Sequence, residues 1–240
     1  MNRTIALALA LALVGLAVPH VALAEHHEAV IQSYVVNVVP GKLEEYRAAV
    51  RKLSEIMKRV GSTGSVRMWR TTAGGPDTGT ILVGIEHANA TAWAADSGKM
   101  QKDPEWQTVM ASLPAIRTIG SNSMWRDISP NASAEGSGGV LLVTGVQVKA
   151  GMLEEYRKRV GGLGAISERL GTTGRMRMWV ATLAGPNTGN VAVGVEYADL
   201  ATYVANQAKS SADPEWAKTI AGLDDIRTIA GRWLYEEITP

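Results

Sequence analysis

The sequence predicts an α+β fold built from two similar units of about 100 residues that pack on each other. Residues 30–130 match residues 140–240 at a constant shift of 110 positions without a gap, and roughly 42 of the 101 aligned positions are identical. Each stretch contains segments typical of strands and apolar spacings typical of helices. Each is also long enough to bury a core of its own. We call these stretches the first and the second repeat, and we call positions 110 apart twins.

The first half of each repeat predicts a strand followed by a helix. In the first repeat, residues 30–39 are rich in valine and predict a strand. Apolar residues then recur at three- and four-residue spacing over residues 43–60, which predicts an amphipathic helix. Gly61 follows this helix as a C-terminal glycine does. The twin positions of the second repeat predict the same two elements, with the strand at residues 140–148.

The second half of each repeat predicts two strands joined by a hairpin, an interrupted helix and a last strand. In the first repeat the strands fall at residues 65–72, 81–87 and 116–128. Asn89 is a typical N-cap for the helix between the second and third of these strands. The helix restarts at Asp103-Pro104, where aspartate caps and proline takes the first helical position.

The resulting order, β-α-β-β-α-β, is that of a ferredoxin-like unit. Its sheet is covered by helices on one face and bare on the other. Two units on one chain can cover both bare faces by packing them together, and a short linker raises their effective concentration. Residues 131–139 are rich in serine, glycine and alanine and predict such a flexible linker. We therefore expect ferredoxin-like units at residues 25–130 and 140–240.

Three motifs carry a resemblance to a known superfamily: Gly41-Lys42-Leu43-Glu44-Glu45-Tyr46, Gly75-Pro76-Asp77-Thr78-Gly79 and Asp103-Pro104-Glu105-Trp106, each recurring 110 residues on. With them the chain resembles the dimeric α/β-barrel superfamily, in which two ferredoxin-like units close their sheets into one barrel. Within it, the chain is similar to NIPSNAP-like and antibiotic-biosynthesis-monooxygenase-like domains. The resemblance implies an intramolecular barrel. Haem-degrading relatives use a histidine on the second helix as the iron ligand. The corresponding residues 90–101 and 200–211 contain no histidine, so we expect no cofactor.

The hairpin suggests a candidate site. With the turn centred between Pro76 and Asp77, Arg67 would face Glu86 and Trp69 would face Gly84. Strand alternation places these side chains on the sheet face that the other repeat covers. The twins are identical. The predicted ligand-binding residues are therefore Arg67, Trp69, Glu86, Arg177, Trp179 and Glu196.

Two interpretations of this constellation stay open. In the structural one, the Arg–Glu pairs fix strand register and the indoles fill space. In the functional one, Arg67 and Arg177 hold an anionic or carbonyl group of a small molecule while the tryptophans cover its apolar body. The predicted function is small-molecule binding. The alternatives are a cofactor-independent monooxygenase-like enzyme, with His87 and Arg67 as weak catalytic candidates, and a structural or assembly protein without a ligand.

Several other residues have a structural interpretation that we prefer. His87 has Tyr197 as its twin and is typical of a surface or capping residue at a strand end. Arg117 and Arg227 are expected to be solvated or to cap a helix. Glycines interrupt the first helix of the second repeat at twins of Arg51, Lys52 and Ser54: Gly161, Gly162 and Gly164. We favour tolerated drift there, with a cavity over the second repeat as the alternative.

Residues 1–24 have the features of a signal peptide. Arg3 precedes an apolar run of about 14 residues, shorter than the roughly 20 of a membrane span, and Ala22-Leu23-Ala24 is a typical cleavage site. We expect a periplasmic or secreted protein. Cleavage after Ala24 would expose an amine followed by His26 and His27, a donor set that suits Cu(II) or Ni(II). Chance occurrence of these histidines is the alternative.

The composition excludes several kinds of site and partner. The chain contains no cysteine, which excludes disulfides, thiolate metal sites and cysteine nucleophiles. Its net charge is +1 with acids and bases interspersed, so we expect neither nucleic-acid binding nor, after signal cleavage, membrane association. The expected partners are a small apolar or anionic molecule and the other repeat, with further homo-oligomerisation left open.

Overall fold

The computed structural model describes residues 29–130 and 139–239. The predicted signal peptide, the His26–His27 pair and nearly all of the predicted linker lie outside the described residues.

Both repeats have the predicted order of elements. The first repeat comprises β1 (Val30–Val38), α1 (Leu43–Arg59), β2 (Ser65–Ala73), β3 (Ile81–His87), α2 (Ala90–Gln101), α3 (Pro104–Ser112) and β4 (Arg117–Asp127). The second comprises β5 (Val140–Val148), α4 (Leu153–Arg169), β6 (Arg175–Leu183), β7 (Val191–Tyr197), α5 (Leu200–Ala212), α6 (Pro214–Asp224) and β8 (Arg227–Glu237). The predicted α+β class is confirmed.

The predicted helix boundaries have the expected local causes. Gly61 has a φ of 67°, a left-handed conformation that ends α1 without a Cβ penalty. Asp103 caps α3 by accepting a hydrogen bond from the backbone N–H of Trp106 at 2.9 Å. Its twin Asp213 accepts one from Trp216 at 2.9 Å in α6. The capping aspartates are thus accounted for by the fold.

The eight strands form one closed antiparallel barrel in the order β1-β3-β2-β8-β5-β7-β6-β4, with β4 pairing back to β1. The edge strands of each repeat pair with those of the other, β2 with β8 and β4 with β6. Closure leaves the backbone groups of these edges bonded to another strand. Each sheet thus has one face towards the barrel interior and one towards its own helices.

A separate apolar core lies between the sheet and the helices of each repeat. In the first repeat it is built around Val36, Tyr46 and Met68, and in the second around Val146, Tyr156 and Met178. Trp106 and Trp216 pack against these cores. None of the helices in residues 29–130 and 139–239 has the length and apolarity needed to cross a membrane.

The predicted register of the β2–β3 hairpin is wrong by two residues. Arg67 pairs with Gly84, and Glu86 pairs with Ser65. The turn is a short 3₁₀ segment at Gly75–Asp77, so the hairpin is centred one residue earlier than predicted. The β6–β7 hairpin has the same shift, with Arg177 opposite Gly194. A slip of two residues keeps every side chain on its predicted face but changes its cross-strand neighbour.

Candidate functional site

All six residues of the predicted site line a cavity inside the barrel. Its volume is about 750 Å³, and side chains from both repeats surround it. The structure therefore brings the predicted constellation together. It pairs the residues differently, however, because each arginine reaches carboxylates of the opposite repeat.

Arg67 is bound by two carboxylates of the second repeat. Its Nη1 donates to Glu196 Oε1 at 2.7 Å. Its Nε and Nη2 donate to the two carboxylate oxygens of Glu237 at 3.0 and 2.8 Å. Sequence analysis missed Glu237, because the β2–β8 pairing that places it there joins different repeats.

Arg177 is bound in the same way by two carboxylates of the first repeat. It donates to both oxygens of Glu86 at 2.9 and 2.6 Å and to Asp127 Oδ2 at 3.0 and 2.6 Å. Burial acts to lower the pKa of Arg177, but the bonds to Glu86 and Asp127 outweigh it and raise that pKa above its ordinary value. We call each arginine with its two carboxylates an arginine clasp. The two clasps connect the repeats across the barrel.

The clasps give the barrel interior an excess of negative charge, to which Asp77 on the same wall adds. Two guanidinium groups stand against the four carboxylates of Glu86, Asp127, Glu196 and Glu237, a formal charge of −2. A ligand anion would have to compete with carboxylates that already form charge-assisted hydrogen bonds. This geometry supports the structural interpretation of Arg67 and Arg177 as links between the repeats.

The tryptophans of the predicted site stack between arginine and glycine. The Arg67 guanidinium lies 4.7 Å from the ring centroid of Trp69, and that of Arg177 lies 5.2 Å from Trp179. A Cβ at Gly84 would come within 3.3 Å of Trp69, and one at Gly194 within 2.5 Å of Trp179. A Cβ would therefore force Trp179 to move, and it would make a tight contact beneath Trp69. The predicted indole-over-glycine contact is present, although the cross-strand pairing predicted for it is not.

His87 is a core residue, and the preferred prediction of a surface or capping role is wrong. It is 1% exposed and lies on the helix side of β3, where its Nδ1 is 3.3 Å from Asp96 Oδ2 on α2. Arg67 lies on the opposite face, inside the barrel. The two weak catalytic candidates are therefore not brought together.

Asp96 is the centre of a buried polar network. Its carboxylate accepts hydrogen bonds from the Thr63 backbone N–H at 2.9 Å, the Ser62 hydroxyl at 3.0 Å and the Lys99 ammonium at 3.1 Å. Burial acts to raise the pKa of Asp96, but these bonds outweigh it and hold the pKa well below its usual range. The twin of Asp96 is Asn206, so the second repeat lacks this charge.

The Asp96 network predicts an acid-dependent contribution to stability. Because its folded-state pKa is depressed, the contribution is present above the unfolded pKa of about 3.9 and is lost as the pH falls through the folded value. We expect Asp96→Asn to lower the free energy of unfolding by about 1–3 kcal/mol at pH 7. Urea titrations from pH 7 to pH 2 should show that the difference in unfolding free energy between the wild type and Asp96→Asn narrows only below about pH 4. A gap independent of pH would contradict the assignment.

A second cavity, of about 680 Å³, lies between the sheet and the helices of the second repeat. Its walls come from β5, β6, β7 and β8 on the sheet side and from α4, α5 and α6 on the helix side. We call it the helix-side cavity. Arg227, predicted to be solvated or to cap a helix, is instead a buried residue of its wall, and its twin Arg117 is also buried.

Three substitutions between twins place small side chains around the helix-side cavity. In the first repeat Met57 and Met100 are 1% and 6% exposed, and Tyr34 packs against the apolar core of that repeat. Each is replaced by a small residue that lines the cavity: Thr144 for Tyr34, Ser167 for Met57 and Ser210 for Met100. At these three positions the second repeat has small side chains where the first repeat has large ones.

The glycines of α4 belong to this cavity. Gly161 and Gly164 line it, and a Cβ at Gly164 would meet no atom within 4 Å. Their presence is therefore not required by close contact with the rest of the protein. Each costs up to about 1 kcal/mol relative to alanine in a helix interior. The structure supports the cavity, which the sequence analysis gave as the alternative to drift.

No protein-family model and no curated protein sequence matches the chain. Similar folds are found among solved structures. A candidate monooxygenase from Fusobacterium nucleatum has a TM-score of 0.59 at 14% identity, covering 88% of this chain and 91% of that one. A candidate monooxygenase from Lactobacillus acidophilus has a TM-score of 0.61 at 10% identity, covering 88% and 93%. A heme-binding protein from Thermus thermophilus has a TM-score of 0.53 at 9% identity, covering 88% and 91%.

The likeness shows that this chain shares the fold of these structures. One of these neighbours is described as heme-binding, which raises the question of whether the helix-side cavity could hold that group. No histidine lines it, and burial raises the pKa of its Tyr197 to about 12, which disfavours a phenolate ligand. The wall therefore offers no histidine ligand to a haem iron. Among the residues that the structure describes, no cluster of three or more His, Asp or Glu side chains could hold a metal.

Proposed function

We propose that this protein binds a small, partly apolar molecule in the helix-side cavity of its second repeat. The supporting observation is the replacement of Tyr34, Met57 and Met100 by Thr144, Ser167 and Ser210 on an otherwise similar scaffold. Emptying a core costs stability, because lost apolar contacts are not recovered. A volume of about 680 Å³ lies in the range of small-molecule sites.

The barrel cavity is the less favoured site. Its arginines are occupied by the clasps, and its glycines hold the tryptophan rings in contact with the backbone. The ligand-binding role of Arg67, Trp69, Glu86 and their twins stays a prediction. We assign these residues primarily to the joining of the two repeats.

The finer family resemblance, to NIPSNAP-like and antibiotic-biosynthesis-monooxygenase-like domains, also stays a proposal. A monooxygenase-like activity has the names of two structural neighbours in its favour. Its two candidate residues, His87 and Arg67, lie on opposite faces of the sheet. Binding is therefore the function that the geometry supports best, ahead of catalysis and of a purely structural role.

Filling the helix-side cavity tests the proposal. The neutral dye N-phenyl-1-naphthylamine should become fluorescent on binding to the protein. In the variant Ser167→Met/Ser210→Met, which installs the first repeat's side chains, the dye should bind at least about tenfold more weakly, a loss of about 1.4 kcal/mol. The variant should be no less stable than the wild type in urea, because it restores buried apolar contacts.

A matched variant separates the two cavities. Ser121→Met/Ser123→Met makes the same chemical change at two residues that line the barrel cavity. This control should leave dye binding unchanged. Loss of binding in the control, together with retention in Ser167→Met/Ser210→Met, would move the site into the barrel and overturn the assignment.

We also propose export, motivated by the Arg3, apolar and Ala22-Leu23-Ala24 pattern. N-terminal sequencing of the protein from its native host should read Glu25 first. Recovery of a chain that still begins at Met1, in the cytoplasmic fraction, would contradict it. The proposed copper or nickel site at His26 and His27 depends on the same cleavage.

A further inference from the structure

Arg227 is a buried cation whose hydrogen-bonding capacity is largely unused. The residue is 7% exposed, and its Nη1 donates to the Tyr156 hydroxyl at 3.3 Å. Its Nε and Nη2 are buried and have no hydrogen-bond partner among the described residues. The nearest carboxylate oxygen, from the exposed Asp224, lies 3.7 Å from Nε, beyond hydrogen-bond distance. The desolvation cost of this buried guanidinium is therefore only partly offset by hydrogen bonds.

Comparison of Arg227 with its twin Arg117 relates the missing partners of Arg227 to the cavity. The guanidinium of Arg117 lies 5.9 and 5.6 Å from the ring centroids of Tyr34 and Tyr46. Arg227 has only the equivalent of the second ring, Tyr156, at 5.9 Å. Thr144 replaces the first ring. One of the substitutions that opens the cavity thus also removes a partner of the buried cation.

The wall of the helix-side cavity is positively charged. Its charged residues are Arg175, Arg227 and Arg232 against Glu168, a formal charge of +2. Arg175 also has a buried Nη2 without a hydrogen-bond partner among the described residues. The barrel cavity, with its two clasps, has the opposite sign. Electrostatics therefore directs an anion to the helix-side cavity.

The remainder of the wall contains many apolar side chains: Leu142, Val160, Leu163, Val193, Val195 and Ile220. Resting on the proposed function, we propose that the ligand of the helix-side cavity is an amphiphilic anion, a carboxylate on an apolar body. Arg227 binds the carboxylate, and the body lies along the apolar wall. A carboxylate can accept two hydrogen bonds from one guanidinium, which matches the free Nε and Nη2.

Ligands that differ only in their head group test this inference. Decanoate, decanol and decyltrimethylammonium share one chain length and can compete with N-phenyl-1-naphthylamine for the protein at pH 7. Decanoate should displace the dye at least about tenfold more effectively than decanol. Decyltrimethylammonium should be the weakest of the three, because the wall carries an excess of positive charge.

Arginine variants identify the group responsible. Arg227→Gln should abolish the preference of decanoate over decanol while leaving decanol binding within about twofold. Arg227→Lys keeps the charge and should retain part of the preference. Arg117→Gln, the twin change in the first repeat, should leave the preference intact. If Arg227→Gln fails to fold, the lysine variant and the wild-type ligand series decide the matter.

The outcomes distinguish this inference from the proposed function. Equal displacement by decanoate and decanol, or an equal loss of both in Arg227→Gln, would overturn the anionic ligand class and leave the binding site standing. Dye binding that survives in Ser167→Met/Ser210→Met would overturn the site itself. A preference for decanoate that persists in Arg227→Gln would show that another cation binds the carboxylate.

Discussion

Replacing Arg177 by alanine is expected to lower the free energy of unfolding by about 3–5 kcal/mol. The substitution leaves Glu86 and Asp127 in a largely buried site without their shared cation, and two carboxylates left close together repel each other. Because these bonds connect β6 to strands of the first repeat, the loss should weaken the barrel as a whole. Urea unfolding at pH 7, monitored by tryptophan fluorescence, measures this loss of stability.

A surface ion pair provides the control for this prediction. Arg70 and Glu236 also join β2 to β8, but their side chains are 47% and 54% exposed. Such pairs contribute about 0–1 kcal/mol, so Arg70→Ala should change stability little. If Arg177→Ala were no more damaging than Arg70→Ala, the clasp would not be what holds the repeats together.

The elements of the fold could be predicted because their causes are local. The apolar spacing of α1, its ending at Gly61 and the cap at Asp103 each depend on residues within one or two helical turns. The face of each strand residue could also be predicted, since alternation fixes it. Arg67 and Trp69 therefore lie inside the barrel as expected, even though the hairpin register is shifted by two residues.

The partners of the predicted residues could not be obtained in this way. Arg67 and Glu196 are 129 positions apart in the chain, and their contact depends on which sheet edges join. The register itself depends on the 3₁₀ turn at Gly75–Asp77, whose glycine has a φ of 62°. Several turns suit a Gly-Pro-Asp sequence, and each gives a different pairing.

The helix-side cavity left a signal in the sequence that needs the fold for its interpretation. The twin comparison shows that Met57 becomes Ser167 and that Met100 becomes Ser210. Only the structure shows that these two positions, on different helices, line the same cavity. Thr144, which replaces Tyr34, lines it as well. Taken singly, each change is an ordinary substitution. Their convergence is what indicates a site.

Truncating Met57 to alanine is expected to lower the free energy of unfolding by about 2–5 kcal/mol, the cost of a methionine-sized hole in a core. Met57 is 1% exposed and lies in the interior of the first repeat. Met110→Ala, at a methionine that is 36% exposed, should cost much less and serves as the control in urea titrations.

This prediction also tests why the repeats diverged. If Met57→Ala costs several kcal/mol while Ser167→Met in the second repeat gives a gain, then the second repeat gives up stability that its scaffold could recover. Proteins retain such a loss where an open site is needed for function. Equal and small effects of the two changes would mean that the position tolerates either residue, and the emptied core would then no longer point to a ligand.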